Sequence, residues 1–487
     1  MSEAGAGWSE AHGPPLVIGA DEPRRLGGWL ERAAALAPSA GVRVLLDEER
    51  SEFAAYPELL ARAREVAAGL AGRGVRPGTH VVLQLPCSLD HVVGTWACVL
   101  AGALPVPVAL ADGPGPVLDK LTAIWTDLGR PPVLTAGPGQ AVPLPGATVL
   151  DLSPGKAPDG LVAGNGPVAL AMASSGSTGR PKIIPITHRG LLELGVAARE
   201  RPGFGVGDVT FNWLPLDHSG AQLLFHLAAV FAGATVVHAP TGLITADPLR
   251  LPGLLERHAV THAWWPNFGY RLLADRIAAA PERSWDLSGV RVLLSGGEQC
   301  TLGTVRAFLR ATGRFGVTPA TLWFTWGMTE TTTAITYSRF DDPETVRDGR
   351  IGMGTPDPGA TLRVVATDGT VAPEGVEGPL QVRSNRVAPG LAAFGWLGTG
   401  DLAVIRDGRV TITGRESDLI ILYGKNHLAP DLEAELATAD GVDAAVAACG
   451  VPSERTGTER LAVLVEAAPS AELAARVRAV LAAARGI

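Results

Sequence analysis

Apolar residues along this chain keep switching between two rhythms. Over 22–36 (EPRRLGGWLERAAAL) and 57–72 (PELLARAREVAAGLAG) they fall at helical spacing, so that Leu59, Leu60, Val66 and Leu70 share one face. Gly74-Val75-Arg76-Pro77-Gly78 closes the second helix, and His80–Leu85 follows as a short buried strand. A helix over 89–102, an apolar run at 103–108 and brief strands at 132–135 and 147–151 continue the alternation. Further on come a strand at Val168–Met172, a helix over 190–200, a strand at Val209–Leu214, a helix at Leu223–Ala232 and a strand at Ala234–His238. Residues 260–271 pass from a short strand into a Pro-Asn turn, and Trp264, Trp265, Phe268 and Tyr270 there could floor an apolar pocket. Val290–Ser295 and Trp323–Trp326 are two more strands. Such alternation predicts an α/β fold built of layered subdomains. From 352 to 413 the pattern changes to small β units with turns at Asp368-Gly369 and Asp407-Gly408. The last stretch, ELAARVRAVLAAARGI, reads as helix.

Composition narrows the picture. A chain of 487 residues is too long for one ordinary core, so at least two domains are expected. Its 60 Gly and 38 Pro imply many turns rather than a helical bundle. A net charge of −8 argues against a nucleic-acid partner. Cys87, Cys98, Cys300 and Cys449 are scattered without metal-ligand spacing, which suits a reducing cytoplasm with neither disulfides nor zinc. The N-terminus lacks a signal-peptide layout, and no apolar run reaches the ~18 residues of a membrane span. A soluble, cytoplasmic protein is expected.

The chemistry centres on residues 173–190, ASSGSTGRPKIIPITHRG, which follow the apolar strand. Gly176 and Gly179 permit close backbone approach, so successive N–H groups could face a phosphate. Ser174, Ser175, Ser177 and Thr178 add hydroxyl donors, and Arg180 and Lys182 add charge. The stretch is not a Walker loop, which requires GxxxxGK[ST], and it contains no GxSxG nucleophile elbow.

SSGSTGRPK followed by Thr187-His188 resembles the signature loop of adenylate-forming enzymes: acyl-CoA synthetases, luciferase-like proteins and peptide-synthetase adenylation domains. Five further motifs match that family in order. Leu214-Pro215-Leu216-Asp217-His218-Ser219-Gly220 resembles the segment lining the acyl pocket, with His218 at its histidine or aromatic position. Gly296-Gly297-Glu298 resembles the adenine-binding turn. Trp326-Gly327-Met328-Thr329-Glu330 matches a pattern of Tyr or Phe, Gly, x, Thr, Glu, with Trp326 keeping a flat ring for adenine. Gly398-Thr399-Gly400-Asp401 resembles the ribose motif, and Gly414–Ile420 the interdomain hinge, with Arg415 contacting ribose and phosphate.

The resemblance implies ATP and Mg²⁺ as cofactors. Glu330 is the implied metal ligand, and Lys182, Thr329, Glu330 and His218 are the implied catalytic residues. The nucleotide would also meet Ser174, Ser175, Gly176, Ser177, Thr178, Gly179, Gly296, Gly297, Glu298, Trp326, Gly327, Asp401 and Arg415. The carboxylic acid would sit near His218, Asn267, Phe268, Gly296 and Cys300. A large domain over 1–413 and a small α+β domain over 414–487 are expected. Two departures stand out: Ser417 replaces the usual Asp or Lys of the hinge, and the family's terminal catalytic lysine has no counterpart. The chain therefore reads as truncated or cut from a longer protein. Asp217 lies in a Leu-Pro-Leu-Asp-His setting, unlike the Phe-Asp-x-Ser of amino-acid activators. With Gly414–Glu433, this brings the chain nearest to fatty-acyl-AMP ligases and loading ligase domains of polyketide synthases. A non-amino acid handed to a carrier-protein phosphopantetheine thiol is the first expectation. Free CoA as acceptor, or a nucleotide-binding module without turnover, are the alternatives.

Overall fold

The computed structural model describes residues 7–485 apart from 112, 138–141, 157–160, 162–163, 175–180, 423–424, 443 and 454–457. Among the described residues the largest sheet has nine strands. From one edge they run Thr355–Pro356, Thr333–Arg339, Leu322–Met328, Val292–Ser295, His262–Trp265, Val209–Asn212, Thr235–His238, Gly41–Leu45 and Ser51–Ala55. The six from Leu322–Met328 to Gly41–Leu45 are mutually parallel, and antiparallel strands finish both edges. Alternate residues feed opposite faces, as pleating requires. Trp264, Val292 and Leu294 join one apolar cluster, whereas Ala263, Trp265 and Leu293 join another. Both faces of the parallel strands are thus covered, which explains their nearly continuous apolar runs.

A second sheet, wholly parallel, orders Leu104–Pro107, His80–Leu83, Val133–Leu134 and Val149–Leu150. The strands Val168–Ser174 and Lys182–Thr187 form an antiparallel hairpin in which Ser174 opposes Lys182. The loop between them, holding Ser175, Gly176, Ser177, Thr178, Gly179 and Arg180, lies outside the described residues. A five-stranded antiparallel sheet contains the β units expected over 352–413 and adds Glu10–His12 at its edge. From Leu419 onward two hairpins and the helices Ala429–Ala437 and Ala471–Arg485 enclose their own apolar cluster, with Leu432, Leu436 and Leu481 at its centre. Arg350 ties this unit to the rest: Nη2 donates to both Asp431 oxygens (2.8 and 2.9 Å), and Nη1 donates to the Thr413 carbonyl at 2.9 Å. No helix among the described residues is long and apolar enough to cross a membrane.

Two helices depart from the sequence reading. The first begins at Gly27 rather than residue 22, after a segment anchored by Leu26 N donating to His188 Nδ1 at 3.1 Å. The second starts earlier than Leu223 and is a π-helix over Gly220–Ala228, continued by an α-helix over Ala229–Ala232. A Cβ at Gly220 would come within 2.5 Å of the Trp264 ring, so its bare backbone is what lets the helix begin against Trp264. π-Helical turns are uncommon and cluster at functional sites.

The helical layer is keyed by Phe231, which is fully buried. Its ring lies 4.7 Å from Trp29 between centroids, with the Arg199 and Arg32 guanidiniums over it. Phe231→Ala is expected to lower unfolding free energy by about 3–5 kcal/mol in urea titration; a loss below ~1 kcal/mol would mean the layer repacks around the void.

Candidate active site

Four adjacent parallel strands end on the same edge of the large sheet, and each continues into a segment singled out above. Val209–Asn212 leads to Asp217 and His218, His262–Trp265 to Asn267 and Phe268, Val292–Ser295 to Gly296–Cys300, and Leu322–Met328 to Thr329 and Glu330. Ligands in open α/β sheets bind beyond such carboxyl ends, where backbone groups leave the ladder and become available.

Glu330 occupies a one-turn 3₁₀ segment, Thr329–Thr331, at the tip of the hairpin joining Leu322–Met328 to Thr333–Arg339. The hairpin carries a register shift at Trp326/Gly327. Gly327 is required by contact, since a Cβ there would sit 2.2 Å from the Thr333 carbonyl oxygen. The half-buried Glu330 Oε1 accepts from Ser174 Oγ at 3.2 Å, so the first hydroxyl of the signature loop reaches the glutamate. Thr329 Oγ1 donates to Ser219 Oγ at 3.3 Å, joining the glutamate hairpin to the His218 segment. Lys182 is exposed at the start of its strand, directly across from Ser174.

Trp326 and Asp401, 75 residues apart, meet directly: the indole Nε1 donates to Asp401 Oδ2 at 2.9 Å. Arg415 Nε stands 3.0 Å from Oδ1, so each carboxylate oxygen has its own donor. Burial raises the Asp401 pKa from its ordinary value; Arg415 and the Trp326 N–H act against that. Ser417 is exposed and donates to its neighbour Asp418 at 3.0 Å.

In the segments expected to meet the acid, His218 Nδ1 accepts from Gly220 N at 3.1 Å. A backbone N–H can only donate, so the neutral ring keeps its proton on Nε2. Desolvation lowers the His218 pKa from its ordinary value, opposed by the adjacent Asp217 carboxylate. The ring tilts against Trp264 at 5.3 Å between centroids. Asn267 and Cys300 face one another: Asn267 Oδ1 accepts from Thr301 N at 3.2 Å and from the Cys300 thiol at 3.4 Å. Burial pushes the Cys300 thiol up to about 11. Phe268 is 47% exposed, and its N–H donates to Glu298 Oε1 at 2.6 Å. Glu298 thus caps the helix Asn267–Ala278 from the neighbouring strand's turn. Gly296 packs on Thr325, whose methyl would lie 2.7 Å from an added Cβ, and Gly297 has φ +86°.

The aromatic run at 264–270 divides between the two sheet faces. Trp264 stands beside His218, but Trp265 and Tyr270 pack toward Phe308 in the opposite cluster, so the expected four-aromatic floor is not assembled. Thr187 and His188 turn out to hold the scaffold: Thr187 Oγ1 caps the helix His188–Glu200 through Gly190 N at 2.9 Å, and His188 receives Leu26 N. Sequence reading missed Ser219, Arg386 and Asp357, which the structure places around the glutamate hairpin. Ser219 lay inside a segment already singled out; the other two carried no signal.

A parallel sheet whose carboxyl edge gathers these motifs defines an adenylate-forming ligase. The chain belongs to the family of AMP-binding enzymes, whose sequence profile matches residues 30–118 and 142–392. Atromentin synthetase invA1 of Paxillus involutus is 28% identical over 451 residues, covering 85% of this chain and 46% of that protein. The chain spans about half the length of the curated relatives it matches. Among solved structures, McyG A-PCP complexed with phenylalanyl-adenylate superposes with TM-score 0.88 at 28% identity, covering 98% of this chain and 80% of that one. The adenylation domain of a keto acid-selecting NRPS module bound to keto acyl adenylate superposes with TM-score 0.81 at 25% identity, covering 98% and 95%.

Because Arg415 opposes the burial of Asp401, Arg415→Ala is expected to move the Asp401 pKa further upward. Carboxyl NMR titration of the two proteins reads this directly; a downward or absent shift would mean that Arg415 does not hold Asp401 in solution.

Proposed function

We propose that this chain activates a non-amino carboxylic acid, of the 2-keto class, as its acyl-adenylate and delivers the acyl group to a carrier-protein phosphopantetheine thiol. The observation that carries the substrate class is the His218 tautomer. An Nε2–H donor beside the acid suits a ketone oxygen and disfavours an ammonium, which offers only donors. The structural likeness to a keto acid-selecting adenylation domain supports this reading. One feature favours a second reading. Among the described residues the Asp217 carboxylate has no hydrogen-bond or ion-pair partner, and such a group could receive an amine. The likeness to a complex with phenylalanyl-adenylate fits that alternative.

In the proposed reaction the acid's carboxylate attacks the α-phosphate of ATP and expels pyrophosphate; the thiol then displaces AMP from the acyl carbon. The residues' part is to align the reacting oxygens and balance charge. Asp401, held by Trp326 and Arg415, keeps lone pairs for the ribose hydroxyls, and the Trp326 ring lies beside the adenine. Thr329 and the hydroxyls of the signature loop donate to phosphate, and Lys182 adds charge at its rim. Glu330 fits Mg²⁺: it has one oxygen on Ser174 and no cationic partner among the described residues. The ion typically takes one or two carboxylates beside nucleotide phosphates, and when bound it would offset phosphate charge. We assign residues 1–413 to the nucleotide- and acid-binding domain and 414–487 to a small domain hinged near Ser417. The likeness to an adenylation–carrier pair supports the carrier-protein acceptor; free CoA is the alternative, as is a nucleotide-binding module without turnover.

The test is ATP–pyrophosphate exchange with matched acids. Phenylpyruvate should support exchange at least about tenfold faster than phenylalanine, and His218→Ala should remove that preference. Faster exchange with phenylalanine, abolished by Asp217→Ala, would replace the keto acid by an amino acid. Separately, Asp401→Ala should weaken ATP·Mg²⁺ binding by calorimetry on the order of 10–100-fold, the value of one charge-assisted hydrogen bond. Unchanged affinity would place the ribose elsewhere.

A further inference from the structure

We infer that Arg386 is a positioning residue for the Glu330 turn: its buried guanidinium, balanced by Asp357, holds the backbone that carries Glu330 and Thr329. The inference rests on the role proposed above for Glu330 and goes beyond it.

The backbone immediately after Glu330 is unusual. Thr332 and Thr333 both adopt positive φ, +54° and +66°. A β-branched residue in the left-handed region is a genuine outlier, and two in succession persist only where the surroundings enforce them. Those surroundings are mostly residues 385–388. Arg386 Nη2 donates to the carbonyl oxygens of Thr332 (3.0 Å) and Ala334, bracketing the strained pair. The Arg386 carbonyl accepts from Thr332 Oγ1 at 2.7 Å, and Ala388 N donates to the Glu330 carbonyl at 2.9 Å. Asn385 Nδ2 donates to the buried Glu193 at 2.9 Å, fixing the same segment to the helix His188–Glu200. The turn is therefore gripped from behind by 385–388 and met in front by Ser174 and Ser219.

Arg386 is 1% exposed and Asp357 fully buried, with Nη1 donating to Asp357 Oδ2 at 2.7 Å. A second cation, Arg201, stands 3.8 Å from the other Asp357 oxygen. The pair is poorly arranged for stability alone. Arg386 Nε and Asp357 Oδ1 lack hydrogen-bond partners, and well-packed apolar residues commonly replace buried ion pairs without loss. What an apolar pair could not supply is a planar fork that serves a carboxylate and two carbonyls at once. Lysine, a single ammonium on a flexible stem, cannot match that geometry either.

The experiment compares the full chain with Arg386→Lys and with the double variant Asp357→Leu/Arg386→Met. Glu330→Gln serves as the control for the reading of Glu330. Thermal melts, acid-dependent pyrophosphate exchange at varied Mg²⁺, and amide hydrogen exchange across residues 326–336 are measured. Both variants should fold, with exchange kcat at least tenfold lower, a raised Mg²⁺ requirement and an acid KM within twofold of the parent. Amides of 329–334 should exchange faster while the rest of the chain is unchanged. Unaltered amide protection in a folded variant, or turnover within twofold of the parent, would overturn the inference. Failure of both variants to fold would also overturn it, by assigning the pair to stability. If Glu330→Gln leaves turnover intact, the role of Glu330 has failed instead, and amide exchange alone decides whether Arg386 holds the turn.

Discussion

The parallel register of six strands is the constraint on which the site depends. Because Val209–Asn212, His262–Trp265, Val292–Ser295 and Leu322–Met328 run the same way side by side, their exits lie on one edge, however far apart they are in sequence. Each exit carries a different group: His218, Asn267, Gly296 and Glu330. The reversal after Met328 then matters most. An antiparallel return through Thr333–Arg339 makes a hairpin whose tip must hold Glu330 at the edge, and Gly327 is the residue that lets the two backbones close.

Charge balance sorts the acidic groups around that edge. Asp401 has Arg415 and the Trp326 indole; Asp357 has Arg386, with Arg201 nearby. These carboxylates are committed to holding structure or presenting remaining lone pairs. Among the described residues Glu330 has only the Ser174 hydroxyl. A half-buried carboxylate without a cation beside it is where an incoming positive charge gains most. The same contrast separates Asp401 from Asp217, whose carboxylate has no hydrogen-bond or ion-pair partner among the described residues. The metal reading therefore follows from the carboxylate left without a cation among the described residues, whereas the keto-acid reading rests on the His218 ring.

Much of this was legible beforehand, for physical reasons. The α/β layering shows in the alternation of apolar runs with helical spacing, because strands buried on two faces have little room for polar residues. The segments around Glu330, Asp401 and Ser417 could be singled out because each is short and contiguous. What could not be read was pairing at a distance. Nothing local in Glu10–His12 reveals a strand, since its partner Thr361–Val364 lies some 350 residues away and supplies the reason for its shape. The grip of Arg386 on Thr332 spans 54 residues and joins segments that look like ordinary loops. Trp264 and Trp265 look equivalent in sequence and serve opposite faces, because pleating, not composition, assigns them. The start of the helix at Gly220 was missed for a related reason: the close contact with Trp264 that needs this glycine joins residues 44 apart in sequence.

The most direct measurement follows oxygen. With an acid labelled by ¹⁸O in both carboxylate positions, and hydroxylamine to trap the acyl group, mass spectrometry of the released nucleotide reads the bond that formed. If the carboxylate attacks the α-phosphate, AMP gains a single ¹⁸O and pyrophosphate none. Label in inorganic phosphate with ADP as the product, or AMP without label, would contradict the assignment of this edge to acyl-adenylate formation.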